Sequence, residues 1–183
     1  MKARPTVDEP VHLAAFDPLW RVSAAKQAAI LRRQLSGFDV EVEHIGSTAV
    51  EGMSAKPILD LMVGLRRPDE LEQAAGIASL AGWTDLGEAG VPGRRYLRLR
   101  DSLALNLHLV ALDSPHWRRA LALRDYLRAH ASERDAYSHA KLLAVAAGRT
   151  SLLAYSDAKA GYVSALIERA LEWAKPANAK ADG

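Results

Sequence analysis

A polar loop between two apolar segments carries the residue types best suited to phosphate and metal chemistry. The loop lies in residues 42–63, VEHIGSTAVEGMSAKPILDLMV, and Asp60 follows it inside an apolar run. A carboxylate in such a run loses hydration unless it is paired, metal-bound or at the mouth of a site. A Gly-Ser pair lets backbone N–H groups approach an anion, and a lysine can meet phosphate as a point charge. The loop residues with these properties are Gly46, Ser47, Thr48 and Lys56.

Strands on either side of the loop must hold these residues in place. Alternation places Ile58, Asp60 and Met62 on one face of the strand that follows the loop. The alternative reading of Asp60 is a buried ion pair with Lys56 or a nearby arginine. Alternating or continuous apolar runs predict strands at residues 40–45, 58–63, 83–86, 94–100 and 103–110.

Helix start and stop signals surround the predicted strands. The starts are marked by Asp17-Pro18, Pro68, Ser114-Pro115, a Ser132/Asp135 capping box, and Ser156. The ends are marked by Gly37 and Gly82 in the first two helices, by Gly148 in the fourth, and by Trp173 in the fifth. A mixed sheet flanked by helices, with a helical C-terminal part, gives an α+β (α/β-like) fold.

The predicted hairpin of residues 94–110 adds further candidates for the same site. Asn106 and His108 share one face of its second strand, opposite the leucines. If that strand lies beside residues 58–63, His108 approaches Asp60 and suits a general base or a metal ligand. A lone histidine in a strand is more often a hydrogen-bonded structural residue.

Arginines dominate the first strand of the hairpin. Arg94, Tyr96, Arg98 and Arg100 alternate onto one face, and guanidinium groups are suited to bidentate phosphate recognition. If that face also bears Asp60, we expect the three guanidiniums to line a common cleft. The alternative is a solvated edge strand whose charges oppose aggregation.

The segment 42–63 closely resembles the signature of the GrpB family, which belongs to the nucleotidyltransferase superfamily. Members of that superfamily place a Gly-Ser turn after one strand and a D-x-[DE] pair on the next. Gly46-Ser47 matches the turn and Asp60 matches the first acid, whereas Met62 stands at the second acid position. Further similar blocks are PGRRYLR (92–98), NLHLV (106–110), HWRR (116–119), RDYLRAH (124–130) and YSDAKAGY (155–162).

The resemblance implies a nucleotidyltransferase-like GrpB domain that binds a nucleotide or another phosphorylated small molecule. Asp60 would then hold Mg²⁺, and His108 would assist proton transfer. Met62 cannot ligate magnesium, and Asn106 and His108 are the best candidates for the third acid position, so the acidic triad is incomplete. The resemblance favours Arg94, Tyr96 and Asn106 as substrate contacts. His44, Arg124, Lys141 and Lys159 are secondary candidates within family-like blocks.

Two functional classes follow from the incomplete triad. The first is an enzyme-like protein that binds nucleotides and retains some nucleotidyl transfer. The second is a non-catalytic binding or accessory module, because some similar domains are fused to dephospho-coenzyme A kinase, which suggests a link to coenzyme A metabolism. Tyr155 and Tyr162 could stack on a base, although tyrosines in helices more often lie at the edge of a core.

Composition restricts the remaining possibilities. The chain has 183 residues, a net charge of +2 and no cysteine, which excludes disulfides and cysteine-based zinc sites. No signal peptide or membrane span is visible, so we expect a cytoplasmic protein. Few aromatic residues interleave with the arginines, which disfavours nucleic acid as a partner. We expect a flexible N-terminus over residues 1–10, one domain over 11–174 and a disordered tail over 175–183.

Overall fold

The computed structural model describes residues 8–175. These residues form five helices and five strands. Helices and strands are mixed in the first part of the chain, and the chain ends on three consecutive helices. The helices are α1 (Leu19–Gln34), α2 (Leu71–Leu80), α3 (Pro115–Ala129), α4 (Ala131–Ala146) and α5 (Leu152–Trp173). The strands are β1 (Val40–Ile45), β2 (Leu59–Leu65), β3 (Thr84–Asp85), β4 (Arg95–Arg100) and β5 (Ala104–Ala111). There are also two 3-10 turns, Ser47–Ala49 after β1 and Pro68–Glu70 before α2.

The strands form one mixed sheet in the order β1-β2-β5-β4-β3. Strands β2 and β5 are parallel, and the other neighbouring pairs are antiparallel. The central position of β2 and β5 places Asp60 opposite Asn106, and Met62 opposite His108. Because paired residues point to the same face of a sheet, these side chains share one face. The predicted α+β class, a mixed sheet flanked by helices, is confirmed.

The other face of the sheet is apolar and is covered by α1 and α2. The leucines of β5 belong there to one buried cluster with Trp20, Leu31 and Ala75, which lie on the buried sides of the two helices. The leucine face of β5 is thus the face covered by these helices, and the Asn106 and His108 face is the opposite one. On the polar face, α3 covers the far end through Trp117, whose ring packs with Met62. The near end, where Asp60 lies, stays open between the sheet and the helices α4 and α5.

The helices α3, α4 and α5 pack on one another rather than on the centre of the sheet. Their shared cluster includes Tyr126, Tyr137 and Leu166, and it extends to Val50 and Met53 in the loop after β1. This packing fixes α4 and α5 opposite the loop that carries Ser47. No helix within residues 8–175 combines the length and apolar character needed to cross a membrane.

Two predicted helix starts are wrong. Ser132 does not cap α4, because the helix begins at Ala131 with His130 as its N-cap residue and no side-chain cap. Helix α5 begins at Leu152 rather than near Ser156, since the Ser151 hydroxyl accepts the N–H of Ala154. The predicted cap at Ser114 is confirmed, with its hydroxyl 3.3 Å from the Trp117 nitrogen.

The first described residues form hydrogen bonds with β4 and with the start of α5, the two sides of the open end of the polar face. Glu9 accepts hydrogen bonds from Arg100, and its backbone carbonyl accepts the N–H of Leu152. The segment then pairs with the loop after β1 through a bridge between Ala14 and Ala55. The rest of the predicted flexible N-terminus, residues 1–7, lies outside the described residues, as do residues 176–183 of the predicted tail.

Candidate functional site

A cavity of about 390 Å³ lies between the polar face of the sheet and the helices α4 and α5. This volume is within the range of small-molecule sites. Most residues predicted from the sequence line it together, although they come from six separate segments of the chain. The predicted residues in the lining are Gly46, Ser47, Thr48, Lys56, Asp60, Arg94, Tyr96, Asn106, His108, Lys141 and Lys159, joined by Tyr155.

The Gly-Ser turn lies directly beside Asp60. Strand β1 ends at Ile45, which pairs with Asp60, so the next residue must turn across the Asp60 side chain. Gly46 makes this turn with φ 73°, a left-handed conformation that residues with a Cβ rarely adopt. Ser47 and Thr48 follow in the first 3-10 turn and face the cavity. The tandem of turn and carboxylate that the sequence predicted is therefore one local structure.

Asp60 is held by the neighbouring strand β5. Its Oδ1 accepts a hydrogen bond from Asn106 Nδ2 at 2.7 Å and lies 3.4 Å from His108 Nε2. Although burial raises the pKa of the Asp60 carboxyl, the hydrogen bonds from His108 and Asn106 and the charge of Lys56 outweigh it, and the pKa is lowered. The carboxyl is thus an anion at neutral pH, and 27% of its side chain remains exposed.

Arg94 lines the cavity, but most of its donors are already used. Its guanidinium donates to the carbonyl oxygens of Glu88 and Ala89, which belong to the glycine-rich loop before β4. Its Nη1 lies 3.3 Å from Nδ1 of His108. Because a guanidinium can only donate, Nδ1 accepts, and the proton of a neutral His108 ring is assigned to Nε2, which faces Asp60.

Three lysines supply the free positive charge of the cavity. Lys141 is 1% exposed, and its Nζ donates to Ser47 Oγ at 3.1 Å and to the Ser54 carbonyl oxygen. Lys159 Nζ donates to Tyr137 Oη at 3.3 Å. Within residues 8–175, no carboxylate is within ion-pairing distance of these two lysines or of Lys56.

Burial changes the acidity of the two helix lysines. Burial and the nearby charge of Lys159 lower the pKa of Lys141 to about 7. Burial lowers the pKa of Lys159 to about 8, and the more distant Asp60 charge opposes this only in part. Both ammonium groups are therefore poorly stabilised in the protein alone, which is the expected situation for cations that lack a counter-ion.

Tyr137 is the main lining residue that was missed from the sequence. Its ring lies 4.9 Å from Lys141 Nζ and 5.7 Å from Lys159 Nζ, and Tyr155 lies 4.5 Å from the latter. Each tyrosine precedes a lysine by four residues on its helix, a spacing that puts both on one face. That spacing was the available signal. Tyr162 does not line the cavity but stacks on Tyr137.

Several predicted contacts lie elsewhere. Arg98 and Arg100 share the face of Asp60, as expected from the alternation, but neither lines the cavity because both pair with Glu9. The prediction that three guanidiniums line the cleft is therefore wrong. Arg98 also donates to the hydroxyl of Tyr96, at 3.1 Å.

Arg124 and His44 belong to the edge of the sheet rather than to the cavity. Arg124 pairs with Glu43 and Asp125 and donates to the carbonyl oxygen of His44, which lies on the free edge of β1. The suggestion that Arg124 points into the cleft is not supported. His44 Nε2 lies 2.9 Å from Thr48 Oγ1, so His44 contacts the Gly-Ser turn without lining the cavity. Burial lowers the pKa of His44 to about 4.

The residues present do not fit a resident metal ion. Within residues 8–175, no group of three or more histidine or acidic side chains could hold one. Met62 is fully buried against Ile45, Val110 and Trp117, and so offers neither a ligand nor space for one. Magnesium usually binds through one or two carboxylates together with substrate phosphates. Asp60 alone could serve a magnesium that arrives on such phosphates.

Comparison with known proteins identifies the family. Residues 10–169 match the family described as GrpB protein, and the chain belongs to it. The chain is similar to the UPF0157 protein YqkA of Bacillus subtilis (strain 168), with 31% identity over 169 residues that cover 92% of this chain and 49% of YqkA. It thus spans about half the length of that relative.

Two further similarities bear on fold and context. The crystal structure of the conserved protein GrpB from Enterococcus faecalis matches with a TM-score of 0.79 and 29% identity, covering 88% of this chain and 98% of that chain. A protein of Mycobacterium bovis (strain ATCC BAA-935 / AF2122/97) named dephospho-CoA kinase is 28% identical, over 90% of this chain and 47% of its own length.

Proposed function

We propose that this cavity binds a nucleotide or another phosphorylated small molecule through its phosphate groups. The observation that carries the proposal is the charge of the lining: Lys56, Arg94, Lys141 and Lys159 face a single carboxylate, Asp60. Holding such an excess of positive charge in a partly buried cavity is unfavourable until an anion neutralises it. A polyanionic ligand supplies what the protein itself lacks.

The phosphates would lie between the turn and the helices. The hydroxyls of Ser47 and Thr48 and the ammonium groups of Lys141 and Lys159 face the same space from opposite walls. Tyr155 borders that space, but its side chain is 2% exposed and its ring lies 4.5 Å from Lys159 Nζ, so it positions that lysine. In this arrangement Arg94 acts indirectly, because it fixes the loop over the cavity and the tautomer of His108.

We further propose that Mg²⁺, where it takes part, enters with the ligand and contacts Asp60. A magnesium bound to nucleotide phosphates needs few protein ligands. His108 would position Asp60 rather than act as a base, because its Nε2 proton already points to the carboxylate. Conventional two-metal nucleotidyl transfer is disfavoured, since Met62 occupies the second acid position.

A second candidate function is a non-catalytic accessory module linked to coenzyme A metabolism. The buried Met62 favours it, because a site that has replaced an acid with a core residue has lost metal chemistry. The M. bovis relative named dephospho-CoA kinase, of which this chain matches about half, gives a context in which such a module is joined to an enzyme. Transfer of radiolabel from a nucleotide to any acceptor would exclude this second function.

Isothermal titration calorimetry with ATP, GTP, CTP and dephospho-coenzyme A tests the proposal. We expect saturable binding by at least one of them and a loss of at least about tenfold in affinity in Lys159→Met. Lys26→Met is the matched control, because Lys26 is an exposed lysine of α1 outside this cavity. Absence of binding by the unmodified protein, or equal binding by Lys159→Met and Lys26→Met, contradicts it.

A further inference from the structure

Ser47 and Lys141 are in direct contact on the wall of the cavity. The 3.1 Å distance between Ser47 Oγ and Lys141 Nζ is within the reach expected for a nucleophile and its base. Lys141 is in turn oriented by a third group, the Ser54 carbonyl oxygen. The packing of α4 against α5 and the loop after β1 fixes this geometry. Tyr137, one turn before Lys141 on α4, belongs to the apolar cluster that these three segments share.

The surroundings of Lys141 favour an uncharged amine. Its side chain is 1% exposed, both of its hydrogen-bond partners are neutral oxygens, and the second lysine of the cavity faces it. Burial and the charge of Lys159 lower the pKa of Lys141 to about 7, so a large share of the amine is unprotonated near neutral pH. A neutral amine donates one N–H to the Ser54 carbonyl and offers its lone pair to the Ser47 hydroxyl.

We propose that Ser47 is a nucleophile activated by Lys141, and that this dyad attacks a phosphoanhydride bound in the cavity, an inference that rests on the proposed function. In the step, Ser47 Oγ forms a bond to phosphorus while the bond from that phosphorus to the bridging oxygen breaks. The hydroxyl proton passes to Lys141 Nζ, and the remaining phosphate-containing group leaves with the bonding electron pair. The product is a seryl phosphoester and a lysine ammonium.

The other cations of the cavity are placed to assist this step. Lys159 and Lys56 can neutralise charge that develops on the phosphate oxygens without a resident metal. Gly46 keeps the nucleophile beside a backbone turn with no side chain in the way. The dyad therefore needs no second acid, which agrees with Met62 at that position.

The first experiment measures the reactivity of Ser47 without a nucleotide. A fluorophosphonate reagent reacts with an activated serine by forming the Oγ–P bond and releasing fluoride. We expect mass spectrometry to locate the adduct on Ser47, to lose it in Ser47→Ala, and to find it unchanged in Ser132→Ala, which alters an exposed serine outside the cavity. Equal labelling of Ser47 and the exposed Ser132 would overturn the dyad.

The second experiment uses ATP labelled at either the α or the γ phosphate. A label retained from the α position indicates that the nucleotidyl part is transferred to Ser47, and one retained only from the γ position indicates transfer of the terminal phosphate or pyrophosphate. Either label on Ser47 supports the proposal. Absence of both labels, under conditions in which calorimetry shows bound ATP, overturns the covalent step and leaves the proposed function intact.

Two variants separate a base from a structural lysine. Lys141→Arg keeps a cation and its donors but cannot accept a proton near neutral pH, and Lys141→Met keeps the chain length alone. We expect both to slow labelling at least about a hundredfold, the usual contribution of a general base. Labelling retained in Lys141→Arg would overturn the role of base. Fluorophosphonate labelling without any nucleotide binding would sustain the dyad and refute the proposed ligand class.

Discussion

A Cβ atom built on Gly46 would lie 2.7 Å from Oδ2 of Asp60 and 3.2 Å from its Cβ and Cγ. The turn can therefore approach the carboxylate only as glycine. Asp60 cannot simply swing away, because Asn106 and His108 hold its other oxygen. The position of the turn and the position of the carboxylate thus depend on each other.

Gly46→Ala tests this dependence, and Gly148→Ala is its matched control. Both glycines have positive φ, but a Cβ at Gly148 meets nothing within 4 Å. We expect Gly148→Ala to lower the free energy of unfolding by about 1–2 kcal/mol, the cost of a left-handed residue. Gly46→Ala should cost at least about 1 kcal/mol more and weaken nucleotide binding, because Asp60 must leave its partners. Equal effects in denaturant titrations would contradict the coupling.

Asp60→Asn should have opposite effects with and without magnesium. Because its pKa is lowered, Asp60 carries a full negative charge that repels phosphates. In the presence of a chelator we expect Asp60→Asn to bind ATP severalfold more tightly, about 1 kcal/mol. With magnesium the unmodified protein should gain affinity and Asp60→Asn should not. Calorimetry in both conditions measures this. Weaker binding by the variant in the chelator would mean that Asp60 contacts the ligand directly.

Much of this site could be predicted because it is local in the sequence. Gly46 directly follows the end of β1, and Asp60 lies at the start of the adjacent strand β2. The alternation of β5 placed Asn106 and His108 on one face. The contact of His108 with Asp60 then required only that β5 lie beside β2, which it does. Hydrophobic alternation reports such facing relations directly.

The rest depended on contacts between distant segments, which no periodicity encodes. Arg94 was expected to bind phosphate. Instead, the loop before β4 folds back, and the Arg94 guanidinium donates to the backbone carbonyl oxygens of that loop. Arg98 and Arg100 were assigned to the cleft because Glu9 lay in a segment expected to be loose. The helix starts predicted at Ser132 and Ser156 were also displaced, to Ala131 and Leu152, because local capping signals alone do not fix where a helix begins.

Binding of phosphates should weaken as pH rises from about 7 to about 9, because the lysines of the cavity lose their charge. The pKa values of Lys141 and Lys159, lowered to about 7 and about 8, place both titrations in that window. A bound anion favours the ammonium form of Lys159, so binding near pH 8 should take up protons at that residue, whereas the proposed dyad requires Lys141 to remain a neutral amine. Calorimetry in buffers of different ionisation enthalpy measures this uptake. Lys159→Arg, which stays charged, should show less uptake, and an unchanged uptake would argue against Lys159 as the group that gains the proton.

Arg124→Met should affect stability but not binding. The substitution removes a cation that pairs with Glu43 and caps the edge carbonyl of His44. We expect a loss of about 1–3 kcal/mol in the free energy of unfolding, because partly buried polar groups lose their partner. Affinity for ATP should stay within about twofold of the unmodified protein, since Arg124 is outside the cavity. A tenfold loss of affinity with unchanged stability would indicate that Arg124 contributes to ligand binding after all.

Lys141→Met should change how stability depends on pH. Burial lowers the pKa of Lys141 in the folded protein to about 7, whereas the lysine of the unfolded chain titrates near 10.4. Between these values the unfolded chain binds one more proton, so the free energy of unfolding rises with pH by about 1.4 kcal/mol per unit from this group. Below the folded pKa both states are protonated, and the buried ammonium makes its full destabilising contribution.

The variant has no amine to titrate, so its stability should exceed that of the unmodified protein most near pH 6, and the advantage should shrink as pH rises toward 9. Denaturant titrations across this range, with Lys26→Met as an exposed control, measure the difference. A difference that is independent of pH would mean that Lys141 is not strained by burial. The proposed activation of Ser47 requires Lys141 to be a neutral amine, and that form would then be absent at neutral pH. This measurement therefore tests both the proposed phosphate binding and the proposed Ser47–Lys141 dyad.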